Sequence, residues 1–187
     1  SRNIPVFCFE YRAPPRAALP FSLFPVLCWL QQLGFLPDMS AAVAEAVNVL
    51  RKLSRQLKES VPLSRNPAKK LASMLYGCLP VVYGGGIVAE VARRWKTQFN
   101  ENSKTWAFYE VFPELNHNAI VGYQFPAALA RSITVVMLHS ALLSSRVKLR
   151  YQITARLLEQ AKVSYRVVEG EGTAPLSQIM SLVLVGD

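Results

Sequence analysis

A chain of 187 residues with 51% hydrophobic and 18% charged residues can build one domain with a proper core and is too apolar to be disordered. Its net charge of +9 would suit nucleic acid, an acidic membrane or a phosphorylated substrate. The basic residues are scattered, however, over Arg51–Lys58, Lys69–Lys70 and Arg93–Lys96, with no block interleaved with aromatics; we read them as solvated helix faces and expect no nucleic-acid partner.

Ile4–Phe9 is a short apolar run, read as a central strand. A chain that opens on a core strand is expected to be preceded by something in the intact protein. Pro14 and Pro15 then set a turn, and Arg16 falls in the first turn of a largely apolar helix running to Leu33. Positive charge is unfavourable at that end of a helix dipole, so Arg16 is either salt-bridged at the surface or placed there for a task. Ala17–Leu30, broken by Pro20 and Pro25, is too short to cross a bilayer and reads as a buried helix; no membrane association is expected. Val43, Val47, Leu50, Leu53 and Leu57 mark an amphipathic helix that Asp38 or Ser40 could cap. Asn66-Pro67 opens a further helix, stopped by Gly77.

Leu79–Tyr83 reads as the second strand, followed by three glycines and a helix from Ile87 to about Phe99. Strand, glycine turn and helix can bring backbone N–H groups to an anion. Gly84-Gly85-Gly86 is nevertheless neither GxGxxG nor a P-loop. It serves either close helix packing or, through Gly85, contact with a sugar. Thr105–Phe112 is the third strand, Ser132–His139 the fourth and Tyr165–Val168 the fifth, with helices over Ser144–Lys162 and Leu176–Leu184. Alternating strands and helices predict an α/β fold, a three-layer αβα sandwich with a five-stranded parallel sheet.

Residues 100–118 carry the chemistry: Glu101, Glu110, Glu114, His117 and four asparagines lie around an apolar strand. A carboxylate and an imidazole are the minimum set for moving protons near neutral pH. Ligand sites in open parallel sheets lie beyond the carboxyl ends of strands, which is where Glu114 and His117 fall. Glu101 reaches that region only if its helix end folds back. His139 reads as a plain strand-end residue. The two histidines lie at different strand ends, so no metal site is expected. Cys8, Cys28 and Cys78 lack CxxC spacing and read as small buried hydrophobes in a reducing, cytoplasmic compartment.

Four ordered motifs, Pro14–Leu19 (PPRAAL), Val81–Gly86 (VVYGGG), Ala92–Lys104 (ARRWKTQFNENSK) and Pro113–Gly122 (PELNHNAIVG), resemble the carboxyl-terminal half of the bifunctional phosphoglucose/phosphomannose isomerases, which are built from sugar isomerase (SIS) domains. The resemblance implies a flavodoxin-like SIS domain over residues 1–187, cut at both ends, and a metal- and cofactor-independent aldose–ketose isomerisation of sugar 6-phosphates through an enediolate. It implies Glu101 as the base between C1 and C2, with Glu114 its rival, His117 as the ring-opening group and Arg16 as the enediolate stabiliser. Arg16, Glu114, Asn116 and Gly85 would bind substrate. Family members also carry an amino-terminal SIS domain with a Ser/Thr-rich phosphate loop and a catalytic lysine beyond this chain's last residue. Ser144-Ser145 is the nearest match to that loop and has no glycine. The family histidine crosses a dimer interface, so a homodimer with a shared site is implied. A non-catalytic sugar-phosphate-binding SIS domain is the alternative, and a nucleic-acid-binding domain the third reading.

Overall fold

Four parallel strands form a single sheet in the order β2-β1-β3-β4 in the computed structural model, which describes residues 6–187: β1 (Leu79–Gly85), β2 (Phe108–Phe112), β3 (Ile133–His139) and β4 (Ser164–Glu169). Register places Val81 opposite Phe108 and Val135, and Val135 opposite Tyr165. The helices are α1 (Leu19–Gln32), α2 (Ser40–Leu57), α3 (Pro67–Leu75), α4 (Ala89–Glu101), α5 (Ala127–Ala130), α6 (Ser145–Gln160) and α7 (Pro175–Gly186). None is long and apolar enough to cross a membrane.

The chain divides into two compact units, Ser1–Met39 and Ser40–Asp187. The second holds the sheet with helices on both faces. Strand pleating sends alternate side chains to opposite faces. Tyr83, Val135 and Met137 join Leu158 and Tyr151 of α6 in one buried cluster. Val82, Val136 and Leu138, next along each strand, are equally buried on the other face, where α4 packs on β1 and β2 and α7 packs on β4, α4 and α2.

Glycine turns and caps set the helix positions. A Cβ on Gly84 would stand 2.5 Å from the Val88 carbonyl and 2.9 Å from Ala92 Cβ, so this glycine is what lets α4 lie against β1. Gly86, at φ +53°, makes the reversal between them. Asn66 caps α3 by accepting the Lys69 N–H at 3.1 Å. Glu45 of α2 caps α7 from outside, accepting the Thr173 and Ala174 N–H groups at 2.5 and 3.1 Å. Those donors hold its carboxyl well below the usual range, at about 2.

Three expectations are corrected. The sheet has four strands, not five: residues 6–9 of the expected first strand are not in a strand, and Ile4 and Pro5 lie outside the described residues. The expected buried helix, α1, buries none of its side chains. Its aromatic residues meet the preceding segment in ring contacts, Phe7–Trp29 at 6.0 Å and Phe9–Phe21 at 5.6 Å, because a unit this small has too few layers to enclose them. Finally, Cys8 and Cys28 are exposed and Cys78 is half-buried, so none is a core residue.

Candidate functional site

The sheet's two edges carry different parts of the expected constellation. Helix α4 starts beyond the carboxyl end of β1 and runs back along the sheet, which delivers Glu101, its last residue, to the amino-terminal edge beside the start of β2. The turn there is tightly built. Asn102 N donates to Gln98 O at 2.8 Å, Asn100 Nδ2 to Thr105 O at 2.8 Å and Thr105 N to Phe99 O at 3.1 Å. These bonds occupy Thr105 and delay β2 to Phe108, three residues later than the sequence predicts. The Glu101 side chain is exposed, and Lys104 Nζ donates to its main-chain carbonyl.

Beyond the carboxyl end of β2, Glu114–Asn116 form a 3-10 turn anchored by Leu115, which is fully buried. The Glu114 carboxylate accepts Asn118 Nδ2 at 3.2 Å, so it braces this turn. Asn118 Oδ1 in turn accepts the Ala119 N–H at 2.6 Å. Asn116 faces inward, its amide donating to Thr154 Oγ1 at 2.9 Å and its oxygen facing Arg150 at 3.5 Å. The His117 N–H donates to Glu114 O at 2.8 Å, and its imidazole is exposed.

Five residues of strand therefore separate Glu101 from His117, about 16 Å at the usual rise. Proton transfer to one reacting group requires both within hydrogen-bond reach. Within one chain the two do not meet, and the end of α4 does not fold back. Arg16 lies in the other unit, exposed, in a 3-10 turn that precedes α1 rather than in a helical first turn.

Beyond the carboxyl ends of β3 and β4 the structure gives His139, expected to be a plain strand-end residue, partners that the sequence reading passed over. His139 Nδ1 lies 2.6 Å from Glu169 Oε2, two strand-final residues that the parallel register sets side by side. The His139 ring meets Tyr151 edge-on at 5.3 Å, and Tyr151 stacks on Phe112 at 4.0 Å. The Tyr151 hydroxyl donates to Leu138 O at 2.7 Å, and burial pushes its pKa up. Gly85 closes this floor: it is buried, and a Cβ there would stand 2.9 Å from Phe112 Cβ. The sequence cue was available in the two strands that each end on a titratable residue. Among the described residues, no group of three or more His, Cys, Asp or Glu side chains is arranged to hold a metal ion.

The family model described as bacterial phospho-glucose isomerase C-terminal SIS domain matches residues 64–187. A bifunctional phosphoglucose/phosphomannose isomerase of Caldicellulosiruptor bescii is 37% identical over 92% of this chain and 51% of its own length. One of Aquifex aeolicus is 35% identical over 96% of this chain and 53% of its own. The chain thus spans about half the length of these curated relatives. A crystal structure of a glucose-6-phosphate isomerase-like protein from Thermus thermophilus superposes with a TM-score of 0.62 at 21% identity, over 76% of this chain and 48% of that one, a likeness of fold.

Proposed function

The chain belongs to the bacterial phospho-glucose isomerase C-terminal SIS domain family, and from that membership we propose that it is the carboxyl-terminal SIS domain, over residues 1–187, of a cytoplasmic sugar 6-phosphate isomerase. The reaction is the interconversion of glucose 6-phosphate and fructose 6-phosphate, with mannose 6-phosphate a further substrate. Glu101 takes the proton from C2 of the open-chain aldose and returns it to C1. His117 moves the proton between the ring oxygen and the anomeric hydroxyl that opens the ring. Arg16 holds the charge that develops on the enediolate oxygens, so the step needs no metal. Arg16, Glu114, Asn116 and, from the floor, Gly85 bind the substrate.

The observation that carries this reading is the family match over residues 64–187, which includes both Glu101 and His117. The separation of those two residues on opposite sheet edges supports the rest of it. One chain offers two half-sites, and a homodimer brings Glu101 of one protomer to His117 of its partner, with an amino-terminal SIS domain supplying the phosphate loop. A domain that only bound sugar phosphates would need no base at position 101.

The test is glucose 6-phosphate turnover by the polypeptide that carries both SIS domains, wild type against Glu101→Gln. A loss of about 10²–10⁴-fold with the fold intact is expected. An unchanged rate moves the base to Glu114, and an inactive wild type leaves the non-catalytic binding domain in its place. The 187-residue chain alone is expected to show no turnover, and measurable isomerisation by it would overturn the need for the amino-terminal SIS domain.

A further inference from the structure

On the sheet face that carries α6, the segment from Ala119 to Ala130 arches over the amino-terminal half of β1, β2 and β3 without filling the space beneath it. The result is a cavity of about 350 Å³ with mostly apolar walls, among them Phe108, Phe125 and Val135. That is the scale of a small-molecule pocket and many times the share of one water molecule. Besides Tyr109, which is 38% exposed, three polar groups interrupt the apolar lining: Tyr83 on β1, Glu110 on β2 and Tyr123 on the covering segment.

Each of the three is odd for a plain core. Tyr83 is 3% exposed, and its hydroxyl lies beside that of Tyr123. The Tyr123 oxygen is buried yet closes no hydrogen bond of acceptable geometry. A buried polar atom left in that state is costly and calls for an explanation. Burial raises the pKa of both phenols, and the Glu110 carboxylate pushes in the same direction, which places it within electrostatic reach of both. Glu110 itself has no ion-pair or hydrogen-bond partner among the described residues. In a chain of net charge +9, Glu110 stands out as a half-buried carboxylate that faces an apolar cavity and carries no ion pair among the described residues.

We propose that this cavity is a binding site for an organic amine, a compact apolar or aromatic body that carries one ammonium group. The ammonium would pair with Glu110 and donate to the Tyr123 oxygen, while Phe108, Phe125 and the tyrosine rings take the apolar body and offer cation–π contact. The same chemistry disfavours sugar phosphates, whose dianion would face the carboxylate and whose many hydroxyls outnumber the few polar groups of the lining. The site is therefore separate from the isomerase surfaces and does not depend on them.

The test is titration of the chain with three probes of similar size, phenethylamine, 2-phenylethanol and 3-phenylpropionate, followed by two-dimensional NMR. Phenethylamine should saturate, with shifts confined to residues around Tyr83, Glu110 and Tyr123, and bind at least tenfold more tightly than the alcohol. The carboxylate should bind most weakly. Glu110→Gln should bring phenethylamine to the affinity of the alcohol, and Tyr123→Phe should weaken it less. Excess fructose 6-phosphate should displace none of it. Equal affinity for the three probes, absence of saturation, an amine affinity unmoved by Glu110→Gln, or displacement by fructose 6-phosphate would each overturn the proposal. If Glu110→Gln does not fold, the ranking of the three probes on the wild-type chain decides it alone.

Discussion

Residues 6–39 and residues 40–187 are both rich in large apolar side chains, yet only the second unit has a core. In the first, Phe7, Phe9, Phe21, Val26 and Trp29 all remain exposed and no residue of α1 is buried. In the second, Val82, Val136, Leu138 and Leu158 are completely enclosed. The difference lies in layers. A sheet with helices on both faces covers each strand residue from above and below, whereas one helix and a preceding segment can only lean on each other. Apolar content measures what a segment could bury; architecture decides what it does bury.

Four substitutions sharpen that contrast, given from the largest expected effect. Leu158→Ala, at the centre of the α6 face, should cost about 2–5 kcal/mol in denaturant unfolding through transfer and cavity terms. Gly84→Ala should cost about 1–3 kcal/mol, because the new methyl group meets the Val88 carbonyl and forces α4 off β1. Glu45→Gln should act through pH. The folded pKa of Glu45, about 2, lies below its ordinary value of 4.5, so its contribution is fully present above 4.5 and fades as pH falls towards 2. The wild type should lose stability over that window, and the variant, less stable at neutral pH, should lose less; parallel melting curves would refute this. Trp29→Ala, in the unit without a core, should shift stability by on the order of 0.5 kcal/mol or less, as surface substitutions do. A Trp29→Ala cost equal to that of Leu158→Ala would erase the contrast.

The fold was legible wherever an apolar run met turn residues. SITVVMLH before a polar loop gave β3 to within a residue, and LPVVY before three glycines gave the start of β1, which runs on through Gly84 and Gly85. The same cue failed at Val6–Phe9, since an apolar run states a need for burial and says nothing about whether a neighbouring strand exists to pair with it. It also overstated β2. Trp106, Phe108 and Tyr109 are exposed, because β2 is an edge strand with β1 as its single neighbour. At the site, Glu114, Asn116 and His117 were legible as a polar turn after a strand. The separation of Glu101 from His117 was legible as well, since a helix joining two parallel strands must run back along the sheet; only whether its end folds back needed the structure. The His139–Glu169 pair was missed because thirty residues separate its members and only the β3–β4 register joins them. The cavity beneath Ala119–Ala130 left no periodic trace, since its covering segment is built from short turns.

The strand order has a consequence for how the chain is made. β1 lies second in the sheet, and its partner β3 follows it by roughly fifty residues. At ribosomal rates of about 5–20 residues per second, that interval amounts to several seconds. For that time β1 can find only the short edge strand β2, while the backbone groups it will later offer to β3 wait open to any other extended chain nearby.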